Sequence, residues 1–247
     1  MNQQNIFTAI ADVFRYFYRK DSEVDQNEFP HWLIPVAGLI PGLLIAVISA
    51  AFVFLMGRVA GGIMTALTAP LILEILSGWR GISLTVAYLE RMFSGKKNGE
   101  VSSDKMQNEW MQHQILFASI YLFRMAVFGV LAASGNAVWF IYVLGGAYLI
   151  RGELIRENEV FDSSDYGIWL FYGFFSLIAG LFAFHLSGLA AFPLALFLTV
   201  LCLIGCRRCM EKWFDQGAFW AADLLGYLSE NIMLIVGLFL FGRLLHG

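Results

Sequence analysis

Residues 219–240 read "FWAADLLGYLSENIMLIVGLFL". Most of this stretch has the composition of a membrane helix, yet it carries Asp223 and Glu230. A separation of seven positions puts the two acids on one helical face, two turns apart. An ionised carboxylate at the centre of a membrane helix costs about 2.5–3.5 kcal/mol. The fold has to compensate these acids, so the stretch poses the structural and the functional question together.

The rest of the chain shares its character. Of 247 residues, 59% are hydrophobic and 14% charged, with a mean hydropathy of +0.68. Soluble domains run at about 45–50% apolar and about 25% charged. The composition therefore predicts an all-α, polytopic integral membrane bundle. Apolar runs of about 17–25 residues mark crossings, and seven are read: 32–56, 59–79, 114–133, 136–150, 166–184, 187–206 and 230–246. The fourth is short and the second contains Glu74. Two regions follow: an N-terminal cytosolic amphipathic segment over 1–31 and a single transmembrane helical domain over 32–247. The first of these mixes acids and aromatics and lacks a basic start followed by an apolar run, so it does not read as a signal peptide. It reads as a surface helix with Ile6, Ile10, Phe14 and Phe17 on one side.

Basic residues set the orientation. Thirteen of the sixteen fall in the N-terminal segment and in the second-to-third, fourth-to-fifth and sixth-to-seventh connections. Arg58 and Arg243 fall on the other side, and Arg124 lies inside the third span. This bias predicts a multi-pass protein of the cell (inner) membrane with a cytosolic N-terminus. The opposite connections, "SGNA" (134–137) and "HLSG" (185–188), read as tight turns. Any chemistry is then expected on the cytosolic side. Glu74 and Arg124 are expected to pair between the second and third spans.

Several function classes find no footing. A net charge of −3 provides no basic field for nucleic acid. "CRRC" (206–209) is a lone CxxC without a second pair or a nearby His. With Cys202, these thiols read as small apolar fillers and one interfacial group. His31, His113, His185 and His246 are scattered, and no glycine-rich phosphate loop is present.

Two connecting segments have helical periodicity. Residues 80–97, "RGISLTVAYLERMFSGKK", present Leu84, Ala87, Tyr88 and Met92 as one stripe. Residues 207–229 carry Trp213, Phe214, Phe219 and Trp220 beside Asp215 and Asp223. Both are expected to lie as helices at or just under the cytosolic headgroups, where aromatic anchors are common.

The order of these features resembles the cobalamin synthase family, membrane transferases that join a lower-ligand nucleotide to a GDP-activated corrinoid. "IPVAGLIPG" (34–42) is similar to the family's FPLxGLxxG, with Pro35, Gly38 and Gly42 in register. "SGWRGISLTVAYLERMF" (77–93) stands where the family has T-G-G-x-H-x-D-G-x-x-D-x-x-D-G-x-F. Ser77, Gly78 and Phe93 fit, and Glu90 takes the place of the third Asp. Gly81 replaces the His, while Ser83 and Ala87 replace the first and second Asp. "MQNEW" (106–110) puts Asn108 where an Asp of M-x-D-S-R is expected. "ADLLGYLSE" (222–230) aligns with GDTLGAxxE, so Asp223, Gly226 and Glu230 coincide with its Asp, Gly and Glu.

The resemblance implies phosphoryl transfer: a ribazole or ribazole-phosphate hydroxyl attacks the corrinoid-bound phosphate and GMP leaves. Such chemistry usually uses Mg²⁺ on carboxylates. The implied catalytic and metal-binding residues are Glu90, Asp223 and Glu230. Ser83, Asn108 and Gly226 would line the substrate site, with Asp104 in reserve. The implied partners are a corrinoid, a ribazole-type nucleotide and the lipid bilayer. The sequence leaves the oligomeric state open, a homo-oligomer included. Each residue also has a plainer reading. Asp223 could be solvated at the interface, Glu230 could favour a helix start, Glu90 could pair with a basic neighbour, Ser83 could be an ordinary helix-face residue, and Gly226 could permit close packing. The alternatives at the level of function are a non-catalytic paralogue, acting as a scaffold or corrinoid-binding partner, and a small transporter with a polar path around Glu74 and Arg124.

Overall fold

The computed structural model describes residues 6–15, 33–94, 114–158, 167–214 and 219–241. They form α1 (Ile6–Phe14), α2 (Val36–Ser77), α3 (Arg80–Ser94), α4 (Gln114–Ala133), α5 (Val138–Asn158), α6 (Gly167–Trp213) and α7 (Phe219–Phe241). No strand occurs among the described residues. Five helices, α2, α4, α5, α6 and α7, contain a stretch long and apolar enough to cross a membrane. Large apolar side chains project outward from them, among them Phe54, Val59, Ile115 and Phe239. On a soluble protein such a surface would mark a binding or aggregation patch. Here it marks a membrane protein whose solvent is lipid.

The two longest helices fold back on themselves. In α2 the break is Gly57, at φ 80° and ψ 169°, a region essentially reserved for glycine. Beyond it, Gly61 packs against the backbone of Phe52 and Val53, so the arms lie side by side. In α6, Trp169 and Arg207 both reach Glu153. A straight helix would hold them roughly 57 Å apart, so its arms Gly167–Leu181 and Leu189–Lys212 are also antiparallel.

The centre of the bundle is α5, whose membrane-competent stretch is buried throughout. Small residues let neighbours approach it. A Cβ on Gly38 of α2 would collide with the Leu144 carbonyl, and one on Gly42 would come within 2.9 Å of the Phe140 and Ile141 backbone. The second arm of α2 packs on α4, where Gly62 faces Gly129 and Ala133. Two buried polar side chains tie α5 to its partners through internal hydrogen bonds, as a lipid-embedded core favours. Trp139 Nε1 donates to the Met233 carbonyl at 3.0 Å, and Tyr172 Oη donates to the Tyr142 carbonyl at 3.0 Å.

Two expectations need revision. Residues 207–229 are not one interfacial helix. The α6 helix continues to Trp213 and α7 begins at Phe219, so Asp223 belongs to the last membrane-competent helix, Trp220–Phe241. The reason is the apolar run Ala221, Ala222, Leu224 and Leu225, which is buried against the bundle. The N-terminal helix also does more than lie on lipid. Ala9 and Val13 are buried, and Ile10 and Phe14 pack on the same core. Phe17 lies outside the described residues.

The junction of α2 and α3 is tightly specified. Gly78 adopts φ 59°, its N–H donates to the Ile75 carbonyl, and the Trp79 N–H donates to the Glu74 carbonyl. This is the hydrogen-bond pattern of a Schellman stop. Trp79 also takes a positive φ of 63°, where an L residue meets a penalty of about 1–2 kcal/mol. Three residues of the stripe expected on α3 face the protein, with Leu84 and Ala87 buried and Tyr88 half-buried, and the Met92 side chain lies outside the described residues.

Nothing lies within 4 Å of a Cβ built on Gly57, so its conformation alone decides the effect of substitution. Gly57→Val should destabilise the protein by about 1–3 kcal/mol, measured by reversible unfolding in detergent. Gly205→Ala, at a helical position with equal space, should be neutral or stabilising.

Candidate functional site

Four helices bring five charged side chains and two tyrosines to one partly open cavity of about 30 Å³. Glu74 comes from α2, Arg124 from α4, Arg151 and Tyr148 from α5, and Asp223, Tyr227 and Glu230 from α7. The volume suffices for about two waters.

Arg124 is the hub. Its guanidinium is 1% exposed. Nη2 donates to Glu230 Oε1 at 2.5 Å, and Nη1 lies 3.7 Å from Glu74 Oε1. The Tyr227 ring sits 4.6 Å from the guanidinium carbon, close enough for a cation–π attraction. Tyr227 Oη in turn donates to Glu74 Oε1 at 3.2 Å. Arg151 adds a second cation, with Nη2 4.0 Å from Glu230 Oε2 and its guanidinium 4.3 Å from the Tyr148 ring. Two arginines thus balance Glu74 and Glu230, and Asp223 stands half-buried on the same wall.

The expected Glu74–Arg124 pair is therefore present, but Arg124 holds Glu230 more closely. The reading of Glu230 as a metal ligand meets this geometry directly, because each of its carboxylate oxygens faces a guanidinium. A Mg²⁺ ion wants several oxygen donors, and two adjacent cations oppose it. Among the described residues, no group of three or more His, Cys, Asp or Glu side chains could hold a metal ion. The described donors do not fit Mg²⁺.

The other candidate residues divide as follows. Asp223 and Glu230 share the cavity wall. Gly226, between them, makes room for the aliphatic part of Arg151, because a Cβ there would run into that side chain. Ser83 is buried in α3 and is not part of the cavity wall. Glu90 lies on α3, but its side chain is outside the described residues, as are Asn108 and Asp104.

Sequence reading missed Arg151 and Tyr227. Arg151 counted as a loop cation, whereas α5 continues through it and buries it. A signal for Tyr227 was present, since it lies four residues after Asp223 and three before Glu230, on their face. A second buried acid, Glu153, also went unread. It accepts from Trp169 Nε1 at 2.9 Å and from Arg207 Nη2 at 3.3 Å, tying both arms of α6 to α5. Cys206 contacts the Ser229 hydroxyl at 3.1 Å, in keeping with its reading as a packed thiol.

In comparisons with known proteins, no family model, curated protein or solved structure matches this chain.

Removing one partner from a buried ion pair costs about 3–5 kcal/mol, because the remaining charge loses its compensation. Arg124→Met should therefore destabilise the protein strongly. Adding Glu230→Gln should recover part of that loss. Unfolding of both variants in the same detergent gives the comparison, and equal stability of the single and double variants would contradict the assigned pairing.

Proposed function

We propose that this chain is a non-catalytic membrane protein built on the cobalamin synthase plan, serving as a membrane scaffold or corrinoid-binding partner. The resemblance of residues 34–42, 77–93 and 222–230 supports the plan. One observation carries the non-catalytic part: Glu230, in register with the terminal Glu of GDTLGAxxE, is held between Arg124 and Arg151. Serine, alanine and asparagine at 83, 87 and 108 point the same way, since each stands in place of a family acid.

The same reading includes seven crossings, two each from the folded-back α2 and α6 and one each from α4, α5 and α7. It places the N-terminus in the cytosol of an inner membrane, as the basic-residue bias favours. A transporter reading draws less support. Arg124 and Glu230 sit midway along α4 and α7, where a transport site is expected, but they neutralise each other in a direct ion pair rather than line an open polar path.

Purified protein supplied with a GDP-activated cobinamide, ribazole or ribazole phosphate, and Mg²⁺ should show no turnover above that of Asp223→Asn. Corrinoid absorbance after gel filtration distinguishes a corrinoid-binding partner from a scaffold. Turnover that disappears in Asp223→Asn would establish the transferase instead.

A further inference from the structure

We infer that α3 is a hinged cover over the buried charge network, turning about Gly78 and Trp79. Its attachment differs from that of the other helices around the cavity. The apolar face of α3 does not join the main core. Leu84 and Ala87 form a small cluster with Leu224, and Ile82 and Val86 form another with Tyr227. Although residues 81–87 are buried, an element held by small apolar clusters apart from the main core lies toward the low-stability end of a fold. The hinge itself pairs two successive residues of positive φ, one of which is a tryptophan. That conformation is unfavourable for an L residue and persists only where its surroundings hold it. Here the support comes from α4, where Trp79 packs against Phe117 and Tyr121 at ring-centroid distances of 5.5 and 5.8 Å.

The cover acts directly on the site. Gly81 lies flat on the Tyr227 ring with no room for a Cβ. That ring faces Arg124 and its hydroxyl holds Glu74. The Trp79 N–H holds the Glu74 carbonyl, and Ser77 and Gly81 complete the cavity wall. Lifting α3 frees Tyr227 and admits water to Glu74 and Arg124. Seating α3 narrows that space to the small cavity described above. Both Glu74 Oε2 and Arg124 Nη1 are buried without a hydrogen-bond partner, so admitted water would find a donor and an acceptor. Strain at Trp79 favours the lifted state, and the aromatic support on α4 favours the seated one.

Full-length protein in nanodiscs, carrying Cys202→Ala, Cys206→Ala and Cys209→Ala, allows a direct test with a water-soluble methanethiosulfonate reagent. Ser77→Cys reports on the cavity, and Lys212→Cys, at an exposed site on α6, is the control. Phe117→Ala, which removes the support but leaves the hinge, should speed modification of Ser77→Cys by about fivefold or more without changing Lys212→Cys. Unchanged rates, or an equal rise at both positions, would overturn the hinge. Hydrogen exchange of the unaltered protein gives an independent reading. Residues 80–89 should exchange together and at least about tenfold faster than 138–155, and comparable protection of the two would also overturn it.

Discussion

Arg124 is the interaction on which the rest of the site depends. A guanidinium cannot lose its proton in a protein, so its burial obliges the fold to supply anions around it. Glu74 and Glu230 do so from helices on either side, and Tyr227 offers a ring face and a hydroxyl between them. Three helices distant in sequence are thereby held in one register. Apolar contact alone would leave these helices free to slide, since lipid tails are as apolar as leucine and give no hydrophobic preference for protein partners.

The same centre links the resemblance to its departure from the family pattern. Asp223, Gly226 and Glu230 have the spacing of the acidic signature they resemble, and the structure shows what two of them touch. Gly226 accommodates Arg151, and Glu230 compensates Arg124. A carboxylate that neutralises buried arginines stabilises a bundle and is a poor ligand for a second cation. A gapless motif match does not reveal which partner a side chain faces.

The proposed cover sits where two kinds of packing meet. Around α5 the helices approach through glycines and bury a continuous core. Over the cavity, α3 rests on two small clusters and a strained turn.

Helical class and the presence of several membrane-competent helices were legible in the sequence because they depend on local composition and on the length of apolar runs. The Glu74–Arg124 pair was legible too, since each is a charge within an apolar stretch that has to be compensated. Gly57 was visible only as a gap between two runs, and its positive φ, which turns α2 back on itself, is a property of the folded backbone. The boundary of the last helix was misplaced because Asp223 made an apolar stretch look interfacial. What only the tertiary structure decided was the set of partners: Glu230 with Arg124, Arg151 beside Gly226, Glu153 with Arg207 and Trp169. Sequence spacing fixes which residues share a helical face. Which faces meet depends on how several helices pack at once, and no single segment carries that information.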